Sequence, residues 1–298
     1  MADTKQPIIH VAELSKYFGN TKALDGLHLE VQKGEIHGFL GPNGSGKTTT
    51  IRVLLGLLQK NSGDIQLFGK NPWEDAVELH KRLAYVPGDV NLWDNFTGDE
   101  VIELLAKMRG NINYDKKKEL VERFGLDTSK KCRSYSKGNR QKVALISAFV
   151  SDVELYILDE PTSGLDPLME EIFKETVKNL AKEGKTVLLS SHILSEVEAL
   201  CDRITIIRNG KTVESGSLVE MRHLTRLNVS FTTEKKVGDL SQFSDVFDLK
   251  VSENTTEFSI EGNQLNAVLQ YLTQFGITSM TSHQPTLEEL FLHVYHNK

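Results

Sequence analysis

Apolar and polar positions alternate from the start of the chain with the period of strands. Ile8 to Leu14 reads as one strand, Leu27, Leu29 and Val31 mark a second, and Ile36 to Leu40 form a third after the turn at Lys33-Gly34. A glycine-rich loop follows at once. Thr48 to Leu58 is then apolar enough for a helix packed on a sheet, which the turn residues Asn61-Ser62-Gly63 are expected to close. From about residue 97 to about residue 150 the period becomes helical, with Val101, Leu104 and Leu105 on one face and Val143, Leu145, Ile146 and Phe149 later, which predicts a helical insertion. Strands return at Leu155 to Leu158 and Thr186 to Leu189, separated by a helix around Glu170 to Lys182. That is the βαβ alternation of a parallel sheet in an α/β fold. A hairpin follows, Ile204 to Ile207 and Val213 flanking a turn at Asn209-Gly210.

Near residue 220 the pattern changes. Leu227, Val229 and Phe231 alternate, as do Phe258 and Ile260, and two amphipathic helices follow: Leu265, Val268, Leu269 and Leu272, then Leu287, Leu290, Phe291 and Val294. Thr286 and Glu289 have the spacing of a capping box before the last helix. Two domains are therefore expected, residues 1–220 and a small α+β domain over 221–298. The run Lys116-Lys117-Lys118 reads as a solvated face.

Composition then removes several classes of function. Apolar residues make up 39% of the chain, enough for a sizeable core and too many for a chiefly disordered protein. Lys and Arg number 35 against 41 Asp and Glu, a balance of −6, so direct nucleic-acid binding by phosphate neutralisation is not expected. No apolar run approaches the roughly 18 residues that span a bilayer. Met1 to Pro7 has no apolar segment of the signal-peptide kind, so the chain is expected to stay in the cytoplasm. Cys132 and Cys201 lack any CxxC or Cys/His spacing and read as reduced, buried thiols.

The chemistry is carried by a few contiguous segments. Gly41-Pro42-Asn43-Gly44-Ser45-Gly46-Lys47-Thr48 fits GxxxxGK[ST], a loop whose backbone N–H groups wrap phosphates because glycine permits close approach and unusual dihedrals. Lys47 would reach the β and γ phosphates, Thr48 would ligate Mg²⁺, and the following helix, with Thr49 in its first turn, would add its N-terminal dipole. Leu155 to Leu158 ends in Asp159-Glu160, at a strand's carboxyl end, where open α/β sheets place ligands. Asp159 would hold Mg²⁺, and Glu160 would orient or deprotonate an attacking water. His192 follows another strand and two serines and would touch the γ-phosphate or that water. Tyr135 to Gln141 opens a predicted helix, giving Ser136 and the N–H groups after it a second anion site.

Together these residues resemble the ATP-binding subunits of ABC transporters over about residues 7 to 220, with five motifs in family order: the phosphate loop, the signature at Tyr135 to Gln141, the strand ending Asp159-Glu160, Ser163-Gly164-Leu165-Asp166, and His192. The resemblance implies a P-loop NTPase of the ABC-type ATPase class, with a mixed sheet, the helical insertion and the small carboxyl-terminal domain. It implies ATP and Mg²⁺ as cofactors and a head-to-tail pair of copies, in which Ser136, Lys137, Gly138 and Asn139 complete the partner's site and Asp166 lies at the contact. Phe18, before Gly19, stands where the family stacks an aromatic ring on adenine; taken alone it reads equally as core. Residues 221–298, ending Pro285-Thr286-Leu287-Glu288-Glu289-Leu290-Phe291, resemble the short extension of ATPase subunits from bacterial drug, antibiotic or sodium exporters, a dimer-stabilising or regulatory module or one with no separable role.

Two departures from the family pattern matter. The signature, usually LSGGQ, is Tyr135-Ser136-Lys137-Gly138-Asn139, which keeps the serine and second glycine. The family's glutamine loop falls on Tyr85-Val86-Pro87-Gly88-Asp89, with Gly88 at the glutamine. Asp89 would substitute through water, or the metal would keep another water ligand. Turnover is expected to survive with altered coupling to the partner, and unchanged stimulation of a Gly88→Gln variant would count against that. Leu92, Trp93 and Phe96 form either a groove for a helix of another protein or core of the helical insertion. The resulting expectation is an ATP-hydrolysing subunit, peripheral at the inner face of the cell membrane, that powers a separate membrane-spanning exporter of drugs, antibiotics or ions. The alternatives are a soluble ABC-type ATPase acting on ribosomes, DNA or cofactor assembly, and a nucleotide-gated binding module with little turnover.

Overall fold

The computed structural model describes residues 6–110, 112–223, 227–238, 240, 243, 246–260, 265–283 and 288. The chain divides into two compact units, Met1–Gly216 and Ser217–Lys298. Elements of the first are β1 (Ile9–Phe18), β2 (Thr21–Val31), β3 (Ile36–Leu40), α1 (Lys47–Leu54), β4 (Ser62–Leu67), α2 (Ala76–Leu79), β5 (Leu83–Val86), α3 (Gly98–Arg109), α4 (Tyr114–Arg123) and α5 (Lys137–Phe149), followed by β6 (Leu155–Asp159), α6 (Pro167–Lys182), β7 (Thr186–Ser191), α7 (Leu194–Leu200), β8 (Arg203–Arg208) and β9 (Lys211–Ser217).

Among the described residues, the first unit holds two sheets. An antiparallel sheet runs β2-β1-β4, and a larger one runs β5-β6-β7-β3-β8-β9. In the larger sheet β5, β6, β7, β3 and β8 pair in parallel. Its central strands are buried along their whole length, as a parallel sheet covered on both faces requires. β9 returns from β8 through Asn209-Gly210, both at positive φ (49° and 74°), the tight turn expected of that dipeptide. One core lies between the sheets and α1, built from Leu27, Leu29, Phe39, Ile51, Leu54 and Ile157 among others. Elsewhere Phe149 of α5 packs against Tyr156 and Phe173, each ring pair 6.2 Å between centroids.

Several local expectations are corrected. The helix after the glycine-rich loop ends at Leu54 rather than Leu58, because Gly56 takes φ 64° and closes a Schellman motif: its N–H donates to Val53 O and that of Leu57 to Arg52 O. Asn61-Ser62-Gly63 does not stop that helix; Ser62 and Gly63 begin β4, and Asn61 Oδ1 accepts from the Tyr17 N–H of β1. On α3 the buried stripe is Val101, Ile102 and Ala106, with Leu104 exposed. Lys117 is buried, its ammonium shared between Asp99 at 2.6 Å and Glu103 at 3.0 Å, so the lysine run is not uniformly solvated. Both cysteines are free and buried.

The second unit holds α8 (Leu218–His223), β10 (Leu227–Thr233), β11 (Val246–Ser252), β12 (Thr255–Ile260), α9 (Leu265–Leu272) and β13 (Ile277–His283). Its strands form one antiparallel sheet, β11-β12-β10-β13. Val229, Phe231, Phe258 and Ile260 meet Val268 and Leu272 of α9 in a separate core, the Phe231 and Phe258 rings stacked 5.8 Å apart. The helix expected over Leu287 to Val294, with its capping box, lies outside the described residues.

Candidate functional site

Strand order assembles the site. β6, β7 and β3 are neighbours in parallel, with Leu40 opposite Ser191 and Asp159 opposite Ser190. The three segments that follow these strands, 41–46, 160–166 and 192–193, therefore leave from adjacent carboxyl ends of one sheet, which is where such sheets hold ligands.

The loop after β3 is shaped by its glycines. A Cβ on Gly41 would lie 2.5 Å from Ile207 O and from Ser45 Oγ, and one on Gly46, at φ 113°, 2.7 Å from the Leu24 side chain. Gly44 also takes a left-handed φ, 79°, so the backbone curls as phosphate-binding nests do. The Gly210 N–H donates to Ser45 O and braces the loop from the β8–β9 turn. Lys47 is 5% exposed; its ammonium donates to Gly41 O at 2.6 Å and lies 3.6 Å from Glu160 Oε1. Burial lowers the pKa of Lys47, and the Glu160 and Asp159 carboxylates only partly offset this. The Ser45 hydroxyl is buried without a hydrogen-bond partner among the described residues. A buried cation, an orphaned hydroxyl and a backbone cradle that excludes side chains fit a polyphosphate.

Thr48 Oγ1 donates to Asp159 Oδ2 at 2.9 Å, and Ser190 Oγ donates to the other carboxylate oxygen at 2.7 Å. Asp159 is thus fixed by two hydroxyls from neighbouring elements. Glu160 sits at φ 46°, a conformation that non-glycine residues seldom adopt and that marks functional turns. Its N–H donates to Ser190 O, and His192 Nδ1 lies 3.3 Å from its Oε1. Gly88 lies against the same turn, where a Cβ would meet Asp159 O at 3.2 Å and Glu160 Cβ at 3.6 Å. Asp89 is exposed and accepts from Asn91 Nδ2 at 3.4 Å.

Ser136 caps α5, its Oγ accepting from the Asn139 N–H. Gly138 permits a close approach: a Cβ there would stand 2.5 Å from Gly164 O. Lys137 Nζ donates to Ser163 Oγ at 2.9 Å and Gln141 Nε2 to Pro161 O at 2.8 Å, so the start of α5 is tied to the segment after Glu160. Asp166 caps α6, accepting from the Met169 N–H. Phe18 is 50% exposed near the β1–β2 turn, with the Lys16 ammonium 5.3 Å from its ring centroid, which removes the core alternative. Trp93 and Phe96 are likewise exposed, their rings 5.9 Å apart. Leu92 and Trp93 line a groove of about 540 Å³ together with Leu57, Val77, Leu105 and Met108. Sequence reasoning did not single out Ser190, which anchors Asp159; the serines beside His192 were the available signal.

The chain is similar to known proteins. A family model described as ABC transporter matches residues 24–163, and one described as the carboxyl-terminal domain of DrrA1-3-like ATP-binding proteins matches residues 216–295. The bacitracin transport ATP-binding protein BcrA of Bacillus licheniformis is 36% identical over 253 residues, 83% of each chain. The daunorubicin resistance ATP-binding protein DrrA3 of Streptomyces coeruleorubidus is 33% identical over 311 aligned positions, 99% of this chain and 96% of that one. The chain belongs to the ABC transporter family. A solved ATP-binding subunit of an ABC transporter superposes with a TM-score of 0.68 at 31% identity, over 73% of this chain and 92% of that one. As an ABC-type ATPase the chain binds and hydrolyses ATP and is the subunit that powers transport. Among the described residues no helix is long and apolar enough to cross a membrane.

Proposed function

We propose that the chain hydrolyses Mg²⁺-ATP in a head-to-tail pair of copies at the inner face of the cell membrane, driving a separate membrane-spanning exporter of drugs, antibiotics or ions. The observation that carries this reading is the convergence of three strand ends, with Thr48 2.9 Å from Asp159 and His192 3.3 Å from Glu160. ATP supplies the phosphoryl group, with Mg²⁺ neutralising its charge. Residues 41–49 hold the phosphates, Lys47 as the cation, and Phe18 offers an exposed ring to the base. Thr48 and Asp159 hold the metal. Glu160 takes the proton of the attacking water, and His192 orients that carboxylate. Ser136, Lys137, Gly138 and Asn139 serve the other copy's nucleotide, and Asp166 lies at the contact between copies. Gly88, Asp89, Leu92, Trp93 and Phe96 receive the membrane partner, a reading supported by the exposed rings and the open groove. The names of the relatives, bacitracin transport and daunorubicin resistance ATP-binding proteins, support the exporter over a soluble machine.

The test is Glu160→Gln. ATP turnover is expected to fall by about two orders of magnitude or more, the scale of general-base loss, while an ATP-dependent dimer accumulates on size exclusion. Undiminished turnover would remove Glu160 from its role. Capture of the tagged chain from detergent-solubilised membranes is expected to recover a multi-span protein; recovery of ribosomal or soluble assembly partners alone would favour the soluble machine.

A further inference from the structure

His192 is poorly held by its own surroundings. Its side chain is 49% exposed, and the next residue, Ile193, is 40% exposed, so packing does not fix the turn that aims the imidazole at Glu160. Hydrogen bonds do. Ser191 Oγ accepts from the Ile193 N–H at 3.0 Å and donates to Glu196 Oε2 at 2.6 Å, so the two bonds bracket His192. Ser191 is 2% exposed and Glu196 4%.

Glu196 is an unusual group to bury. Its other oxygen, Oε1, has no hydrogen-bond partner among the described residues. Lys174 is the cation that acts on it, though among the described residues its ammonium pairs with Glu171 at 2.6 Å instead, and the like charge of Glu170 opposes it. An ionised carboxyl in that position costs stability that a merely structural hydroxyl acceptor need not cost. The Thr162 hydroxyl, itself buried two residues beyond Glu160, faces the same carboxyl.

We propose that Glu196 is a positioning residue of the ATPase site, clamping Ser191 and so holding the His192 turn in register with the turn after Glu160. The inference rests on the role given above to His192. Glu196 touches no reacting atom. It acts through the backbone on either side of the imidazole and through Thr162, and its function requires an acceptor at Oε2 rather than a negative charge. A glutamine supplies that acceptor; an alanine does not.

The experiment is ATP hydrolysis by the 298-residue chain, steady-state and single-turnover, with binding of a fluorescent ATP analogue and thermal melting measured beside it. Glu196→Ala and Ser191→Ala are each expected to lower kcat about tenfold to a hundredfold, the scale of a small misplacement of a catalytic group, with KM and analogue affinity within about twofold. Glu196→Gln is expected to restore most of the rate. In a His192→Ala background neither alanine variant lowers the residual rate further. An undiminished second loss in that background would overturn the clamp, as would a Glu196→Gln loss equal to that of alanine or a rise in KM with kcat unchanged. Ser191→Ala keeps the buried carboxyl and decides the question if Glu196→Ala does not fold. Full turnover by His192→Ala alone would instead sink the role assigned to His192.

Discussion

At the scale of single residues, the site combines groups whose chemistry is contiguous in sequence with groups that only the fold brings in. The loop 41–48 was legible because glycines, lysine and threonine at fixed spacing carry the whole phosphate cradle. Ser190 and Glu196 were not, because the contact of Ser190 with Asp159 follows from pairing between β6 and β7, 31 residues apart, and the burial of Glu196 from what packs over α7. Glu196 also gives a pH prediction. Burial raises its carboxyl pKa, and the hydrogen bond from Ser191 and the nearby Thr162 hydroxyl offset that only in part. A carboxyl raised in the folded state contributes stability that is fully present below the unfolded value, about 4.3, and is lost as pH rises through the folded value. Above that range the burial of this carboxyl is therefore a liability. Glu196→Gln is expected to melt above the wild type at pH 7.5, with the advantage vanishing below about pH 4. A lower melting temperature at pH 7.5 would show that charge at this position stabilises the fold.

At the scale of elements, the strands that read clearly are those buried on both faces or alternating strongly: β1, β2, β3, β6, β7, β8, β10 and β12. β4 was hidden by its own start, since Gly63 at φ 92° reads as a turn but is glycine because a Cβ would lie 2.3 Å from Glu13 O of the neighbouring strand. β5 is four residues long before Pro87-Gly88, and β13 is largely exposed and polar, so neither period nor composition announced them; β11 does alternate, Phe247, Leu249 and Val251 against Asp248, Lys250 and Ser252, but its Leu249 and Val251 are exposed rather than core. The groove is framed by β5, α2, α3 and α5, and the segment after β5 carries Leu92 and Trp93 into it. Trp93 is 52% exposed, so its truncation should change stability by no more than about 0.5 kcal/mol. A large aromatic anchor at an interface is another matter, typically about 2 kcal/mol or more. Trp93→Ala is thus expected to lose at least about tenfold in binding to the membrane partner while melting like the wild type, measured by capture from membranes and by calorimetry. A variant that melts early yet binds normally would return Trp93 to the role of packing.

For the whole molecule, the decisive feature is that the two units own separate cores. One cluster runs from Ile8 to Ile207 and the other from Val229 to Ile277, with no residue in common. The division falls at Gly216, close to where the change of pattern near residue 220 appeared in the sequence. The second unit spans only Ser217–Lys298, and small domains bury a smaller share of their surface, so it is expected to melt first. Every group assigned to nucleotide binding lies in the first unit, so a ligand that binds only the folded site stabilises that unit alone. At a concentration a hundred times its Kd, a non-hydrolysable ATP analogue with Mg²⁺ adds about 2.7 kcal/mol. For a unit of this size that moves the transition by roughly 5–10 °C. Calorimetry of the full chain is therefore expected to show two transitions, the analogue shifting the later one and leaving the earlier one in place. A chain ending at Ser217 should show the shifting transition by itself. A single transition that moves as a whole would mean that the carboxyl-terminal unit folds as one with the ATPase, and is then well placed to regulate it.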